Sequence, residues 1–383
     1  MKNNKKLLVC ILLSGLLTGC TGLFDKDNTP PPAKLVNFPP EIKVQSTWNT
    51  RTGSGAGKTY VKLVPAVTDK AVFTADKNGT VTATDKSTGK KLWSTRASET
   101  ISAGPGITDN LVIVSSKVGD ITALNQQDGS IVWKAHASSE VLATPAASRG
   151  IVIIKTINGT LSALSADDGH TLWNYHQTEP ALILRGSSAP QISDGNVVAG
   201  FANGSLSKLT LHGGNLQWKS SIAAPLGSFA IERMIDIDAD PLIVDDNIYV
   251  ATYQGRIAVV DLINGKPKWM HDLSSYTGMA ISNDTVYITD AKSHLWAFDR
   301  ETGQVRFRQT ELEARNITAP VIMGNYIAVG DAEGYLHWMN KADGHFVART
   351  RVNKSPIIAA PVVNNQILYV ATTDGHLATY TIL

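Results

Sequence analysis

The chain of 383 residues has two cysteines, Cys10 and Cys20, and none beyond position 20. A domain built from the rest has no thiol nucleophile, zinc–thiolate site, redox pair or disulfide. Charge of one sign is also missing. The 35 basic and 33 acidic residues give a formal charge of +2, and no long basic run is present, so the electrostatic footprint of a nucleic-acid binder is absent. Nine histidines are scattered without metal-ligand spacing. No Gly-x-Ser-x-Gly elbow supports a hydrolase. Helical periodicity is almost absent. The apolar run Leu7–Leu17, broken by Ser14 and Gly15, is too short for a stable bilayer span.

What stands at the start is a targeting segment. Lys2, Lys5 and Lys6 precede that apolar run, which reads as a signal peptide. It ends in Leu17-Thr18-Gly19-Cys20, which resembles the lipobox of bacterial lipoproteins. The resemblance implies cleavage before Cys20, diacylation of its thiol and acylation of the new amine. Two or three acyl chains anchor firmly, whereas one binds marginally. Thr21, rather than Asp, follows the lipidated position, which in lipoprotein sorting favours the outer membrane. Cys10 leaves with the signal, and the remaining charge, 35 minus 3 basic against 33 acidic, is close to neutral. Pro30, Pro31, Pro32, Pro39 and Pro40 make residues 20–40 an extended tether. The expected organisation is a signal over 1–19, lipidated Cys and tether over 20–40, and one domain over 41–383.

That domain is a repeat. From Gly79 the unit runs through Ala83-x-Asp85 and Thr88-Gly89 to Trp93. Its first glycine recurs at 119, 159, 204, 255, 334 and 375, with Ser293 in the sixth slot. Ten residues later stand Gly89, Gly129, Gly169, Gly214, Gly265, Gly303 and Gly344. Four residues beyond are Trp93, Trp133, Trp173, Trp218, Trp269 and Phe307, and the seventh unit has Ala348. Periods of 38 to 51 residues filled with short β-rich phrases and Asn-Gly or Asp-Gly hairpin signals point to an all-β propeller with four antiparallel strands per blade. The Asn-Gly-Thr/Ser triplets read as hairpin turns rather than glycosylation sites. The eighth unit stops at Leu383 before its outer strand, while Trp48 stands one period ahead of Trp93 without strands of its own. The expected closure uses Ile42–Trp48 as the outer strand of the last blade, giving eight blades and no open ring edge. Seven blades with a stray hairpin is the alternative.

The chemistry follows the departures from the repeat. Gly53-Ser54-Gly55-Ala56-Gly57-Lys58-Thr59 mimics a phosphate loop, but its first glycine would fall at Thr52 and a strand follows, so it reads as a flexible connection. The Ala-x-Asp-x-x-x-Gly-x-x-x-Trp unit resembles the repeat of pyrroloquinoline-quinone dehydrogenases. The vicinal disulfide of those enzymes is missing and no calcium-binding carboxylate cluster stands out, so the motif argues for fold and no cofactor is expected. Two connections are long, those after Trp173 and Trp218. In an up-and-down blade they leave on the same face. They carry Ala181-Leu182-Ile183-Leu184-Arg185-Gly186 and Ile231-Glu232-Arg233-Met234-Ile235-Asp236-Ile237-Asp238. Apolar side chains beside an arginine and carboxylates suit an interface. The alternative is that the apolar residues fold back as loop core and the charges pair with one another.

Lipobox, proline-rich segment, eight repeat units and these two loops together resemble the BamB family, the propeller lipoproteins of the outer-membrane β-barrel assembly machinery, over essentially the whole chain. The resemblance implies a non-enzymatic scaffold on the periplasmic face of the outer membrane. It implies binding to the POTRA domains of the barrel subunit BamA and help in presenting unfolded barrel precursors. Carried over, Leu182, Leu184 and Arg185 contact the barrel subunit with Asp236 and Asp238 next to them. A quinone dehydrogenase, or a propeller binding sugar or peptidoglycan, are the other readings.

Overall fold

In the computed structural model the structure describes residues 30–184 and 186–383. The signal segment, Cys20 and Arg185 lie outside the described residues. The chain divides into two compact units, Met1–Pro32 and Ala33–Leu383. The second is an eight-bladed propeller in which every blade is one four-stranded antiparallel sheet. Blades one to seven are consecutive: 66–96, 103–136, 146–176, 191–221, 242–272, 279–309 and 321–351. The eighth takes three strands from the C-terminus, Val362–Asn364, Ile367–Ala371 and His376–Ile382, and its outermost from Val44–Arg51. The eight-blade closure expected from Trp48 is thus the observed one. The closing strand starts at Val44 rather than Ile42 and runs past Trp48 to Arg51, with pairs from Val44↔Ile382 to Arg51↔His376. Beside this pairing the Leu383 amide donates to the Lys43 carbonyl at 3.0 Å.

Central strands such as Leu111–Ser115 and Ile151–Lys155 are buried at every position, because a blade's two middle strands face neighbouring blades on both sides. That is why they read as unbroken apolar runs rather than alternating ones. The only helical element among the described residues is a 3-10 turn, Ala230–Arg233.

The repeat motif is the device that joins blades. Trp133 of blade two donates from its indole Nε1 to the Ala166 carbonyl of blade three, 2.7 Å. Its ring lies on Gly169, where a Cβ would stand 2.6 Å from Trp133 Cε3. The same pairing joins Trp48 to Lys86 O and Gly89, Trp93 to Gln126 O and Gly129, and Trp269 to Arg300 O and Gly303. The glycine is required twice over, by the overlying ring and by its positive φ of 78° at Gly169. The Ala of the motif sits across the strand pair from the Trp, as Ala123 does from Trp133, leaving room for the indole. The Asp closes the turn. Asp85 accepts from the Thr88 amide at 2.8 Å and from the Ser87 and Thr88 hydroxyls, and these bonds hold its carboxyl down at about 2.

Blade seven explains its own departure. Trp338 is paired with Ala348, so the large and small residues have changed strands, and Trp338 is wholly buried. In blade eight the third strand, His376–Ile382, and the outer strand, Val44–Arg51, are not joined by the turn that carries the glycine in the other blades. The glycine-rich segment at 53–57 is a tied crossing and not a phosphate loop. The Gly57 amide bonds to Thr373 O of blade eight and the Lys77 amide of blade one to Gly55 O, 2.7 and 2.9 Å.

Gly169→Ala tests the junction. Strain at positive φ together with the clash on Trp133 is expected to cost about 1–3 kcal/mol. The readout is the denaturation midpoint. An unchanged midpoint would contradict the role given to this contact.

Candidate functional site: two loops clamped on one rim

The long connections run over 177–190, from blade three to blade four, and 222–241, from blade four to blade five. Each joins an outer strand to the next inner strand, so both lie on the same face and flank blade four.

In the stretch Ile235-Asp236-Ile237-Asp238-Ala239-Asp240 apolar and acidic residues alternate in sequence, and every residue up to Ala239 is buried. Ile235, Ile237 and Ala239 are buried, with Ile235 against Gly204 and Ile237 against Gly200 of blade four. All three carboxylates meet the first loop. Asp236 Oδ1 accepts from the Leu184 amide at 2.9 Å. Asp240 Oδ1 accepts from the Ala189 amide at 2.7 Å. Asp238 abuts Gly186, where a Cβ would fall 2.1 Å from its Oδ1, and pairs with Lys62 Nζ at 3.7 Å. Glycine at 186 is therefore demanded by the approach of the second loop. Asp236 and Asp238 are 4% and 6% exposed, so their side chains act inside the loop pair rather than on its surface. Asp240, exposed at the edge of the pair, also ties the loops through the Ala189 amide and was missed in the sequence, although its i+2 spacing from Asp238 was the signal.

Beneath the clamp lies Lys155 of blade three. Its ammonium donates to Ser188 Oγ at 3.0 Å and to the Gly200 carbonyl. Burial pulls it down to about 8, against the attraction of Glu179, Asp238, Asp240 and Asp236. Burial pushes Asp236 up to about 6 and Glu179 up to about 7. These carboxyls hold protons in the folded chain at a pH where the unfolded chain has released them. The stability they contribute is present at low pH and is lost as pH rises through about 6 to 7. Asp236→Asn removes one such group. Between pH 5 and 7.5 its melting temperature is expected to depend on pH less steeply than the parent's. Equal slopes would contradict the assignment.

What the clamp presents is apolar. Leu182 is 45% exposed and Leu184 is half-buried. On the second loop Leu226, Phe229 and Ile231 are 75%, 70% and 61% exposed. They are held on an ordered turn. Glu232 Oε2 accepts from the Ser228 and Phe229 amides at 2.9 and 3.1 Å, and Gln254 Nε2 donates to Ile231 O at 3.2 Å. Leu226 and Phe229 were not singled out from the sequence. The signal for them was the unit's length of 51 residues, the longest in the chain. Below the rim, the ring axis holds a cavity of about 410 Å³ with Tyr60, Lys62, Asp238, Tyr276, Met279 and Ile358 in its wall. Among the described residues no set of three or more His, Cys, Asp or Glu side chains is placed to hold a metal ion. Chemically the site offers recognition: a preformed apolar patch beside buried charge.

The family model described as outer membrane protein assembly factor BamB matches residues 46–117, 77–309 and 306–383. The chain is 44% identical over 376 residues to the outer membrane protein assembly factor BamB of Legionella pneumophila, covering 97% of both chains. It is 48% identical over 375 residues to that of Alkalilimnicola ehrlichii, covering 98% of this chain and 96% of the relative. The crystal structure of BamB from Moraxella catarrhalis superposes with a TM-score of 0.81 at 27% identity, over 88% of this chain and 100% of that one. The quinohemoprotein alcohol dehydrogenase of Comamonas testosteroni reaches a TM-score of 0.70 at 14% identity, over 88% of this chain and 76% of the enzyme, a likeness of fold alone.

Proposed function

Because the chain belongs to the BamB family of outer membrane protein assembly factors, we propose that its clamped loop pair is the surface on which it binds the POTRA domains of the barrel subunit BamA. The protein is a non-enzymatic subunit of the outer-membrane β-barrel assembly (BAM) complex, acting in the folding and insertion of barrel proteins. Its position on the periplasmic face, its anchoring through a lipidated Cys20 and its contact with unfolded precursors belong to the same proposal.

The observation that carries the reading is the exposed group Leu182, Leu226, Phe229 and Ile231 on two loops that Asp236 and Asp240 hold together through the Leu184 and Ala189 amides. Contact is assigned to these residues with Leu184 and Arg185. Asp236 and Asp238 serve binding by fixing the first loop from behind. Rigid apolar anchors beside an arginine are the composition of interface hot spots.

Purification of a tagged chain from detergent-solubilised outer membrane is expected to bring the barrel machinery with it. Recovery of the chain alone would overturn the reading. Cys20→Ala is expected to abolish acyl labelling and leave an unprocessed or soluble form, and normal labelling of that variant would remove the lipobox assignment.

A further inference from the structure

The segment that enters the last blade does not leave the ring as free chain. Ala33 donates its amide to Glu313 O at 2.9 Å and accepts from Arg315 Nη1 at 2.9 Å. Leu35 packs on the core between blades six and seven. The Val36 carbonyl accepts from Arg349 Nη1 at 2.9 Å. Phe38 stacks on Phe346, the ring centroids 5.6 Å apart and 20° from parallel, with the Arg349 guanidinium 5.0 Å from the Phe38 centroid and 5.6 Å from the Phe346 centroid. The Glu41 amide then bonds to Val347 O at 2.8 Å and its carboxylate meets His345 Nε2 at 3.2 Å.

Both arginines are themselves held. Arg315 Nε donates to Asp331 Oδ2 at 2.8 Å, and Arg315 Nη2 to Glu333 Oε2 at 2.6 Å. His337 Nε2 lies 2.8 Å from Asp331 Oδ2, and Arg349 Nε donates to His337 Nδ1 at 3.2 Å. Arg315, Asp331 and His337 are buried. The site is therefore braced by side chains of the ring itself, and it reads main-chain carbonyls with charge-assisted bonds. Beyond Glu41 the segment continues as the outer strand of blade eight, Val44–Arg51, so it leads from blade seven to the junction of blades seven and eight. Among the described residues this is the one junction without an aromatic ring lying on a glycine, as Ala348 occupies the aromatic slot.

We propose that the outer face of blade seven is a peptide-binding site whose occupant is this chain's own segment Ala33–Glu41, and that the bound segment clasps blade seven to blade eight. Phe38 anchors the segment on blade seven, where its ring stacks on Phe346.

Hydrogen exchange on the full-length mature protein tests this. In the parent, the peptide spanning 33–42 is expected to exchange at least about tenfold more slowly than unstructured chain, in proportion to the free energy of opening. Phe38→Ala and Arg349→Ala are each expected to speed that exchange about tenfold and to speed exchange in Phe346–Arg351 as well. Phe38→Ala changes only the occupant, so it decides the matter if Arg349→Ala disturbs the blade. Exchange of the segment at the unstructured rate in the parent, or an unchanged rate in Phe38→Ala, would overturn the proposal.

Discussion

A chain lacking residues 41–50 is expected to lose the closed ring, with a lower melting temperature and a broader transition. The deletion removes most of Val44–Arg51, the strand that completes blade eight. It strips the partners of His376–Ile382 and opens a sheet edge. It also removes Trp48, whose indole donates to Lys86 O at 3.0 Å, lies on Gly89 and packs edge-on to Tyr369. Blade one and blade eight then lose their junction, and Val72, Tyr369 and Leu377, now fully covered, face water. Trp48→Ala alone is expected to cost about 3 kcal/mol, as loss of a packed Trp does. Deletion of residues 24–32, ahead of the first docked residue, is expected to leave the melting curve in place. Equal behaviour of the two truncations would contradict closure by the N-terminal strand.

The second large effect falls on binding. Leu182→Ala with Arg185→Ala and Phe229→Ala removes an apolar anchor from each loop together with the Arg185 charge. Each hot spot typically contributes about 2 kcal/mol or more, some thirtyfold in affinity. The combined variant is expected to lose most binding, although such losses do not simply add. The fold is expected to survive. Leu182 and Phe229 are exposed, and both lie on loops outside the repeat. Asp236→Ala, by contrast, leaves the Leu184 amide without its acceptor and is expected to weaken binding through a loosened first loop.

The two loops also mark what a sequence conveys. The blades were legible because Gly, Asp and Trp recur for a geometric reason that repeats with them: a turn at positive φ, a cap, and a ring on the bare glycine of the next blade. The closure was legible from Trp48, displaced by one period. The swap of Trp338 and Ala348 was not, because it depends on which residues face each other across a strand pair. Leu182 and Leu184 were found as apolar residues in a long loop. The buried side of Asp236 and Asp238 was hidden, since an Asp beside an apolar residue reads alike whether it faces a partner or an adjacent loop. Only the alternation through Asp240 indicates a segment whose apolar residues and carboxylates meet different neighbours. The docking of Ala33–Glu41 had no local signal, because Arg315 and Arg349, which hold it, lie about 300 positions away and bind its carbonyls, which every residue has.

The central claim is that this propeller works by holding the barrel subunit on the clamped loops, and one titration addresses it. Isolated POTRA domains are added to the parent and to the Leu182, Arg185 and Phe229 triple-alanine variant, at a temperature where both have matching melting curves. The account predicts saturable binding by the parent and at least a thirtyfold weaker complex for the variant, about 2 kcal/mol. A folded variant that binds as tightly as the parent would contradict it.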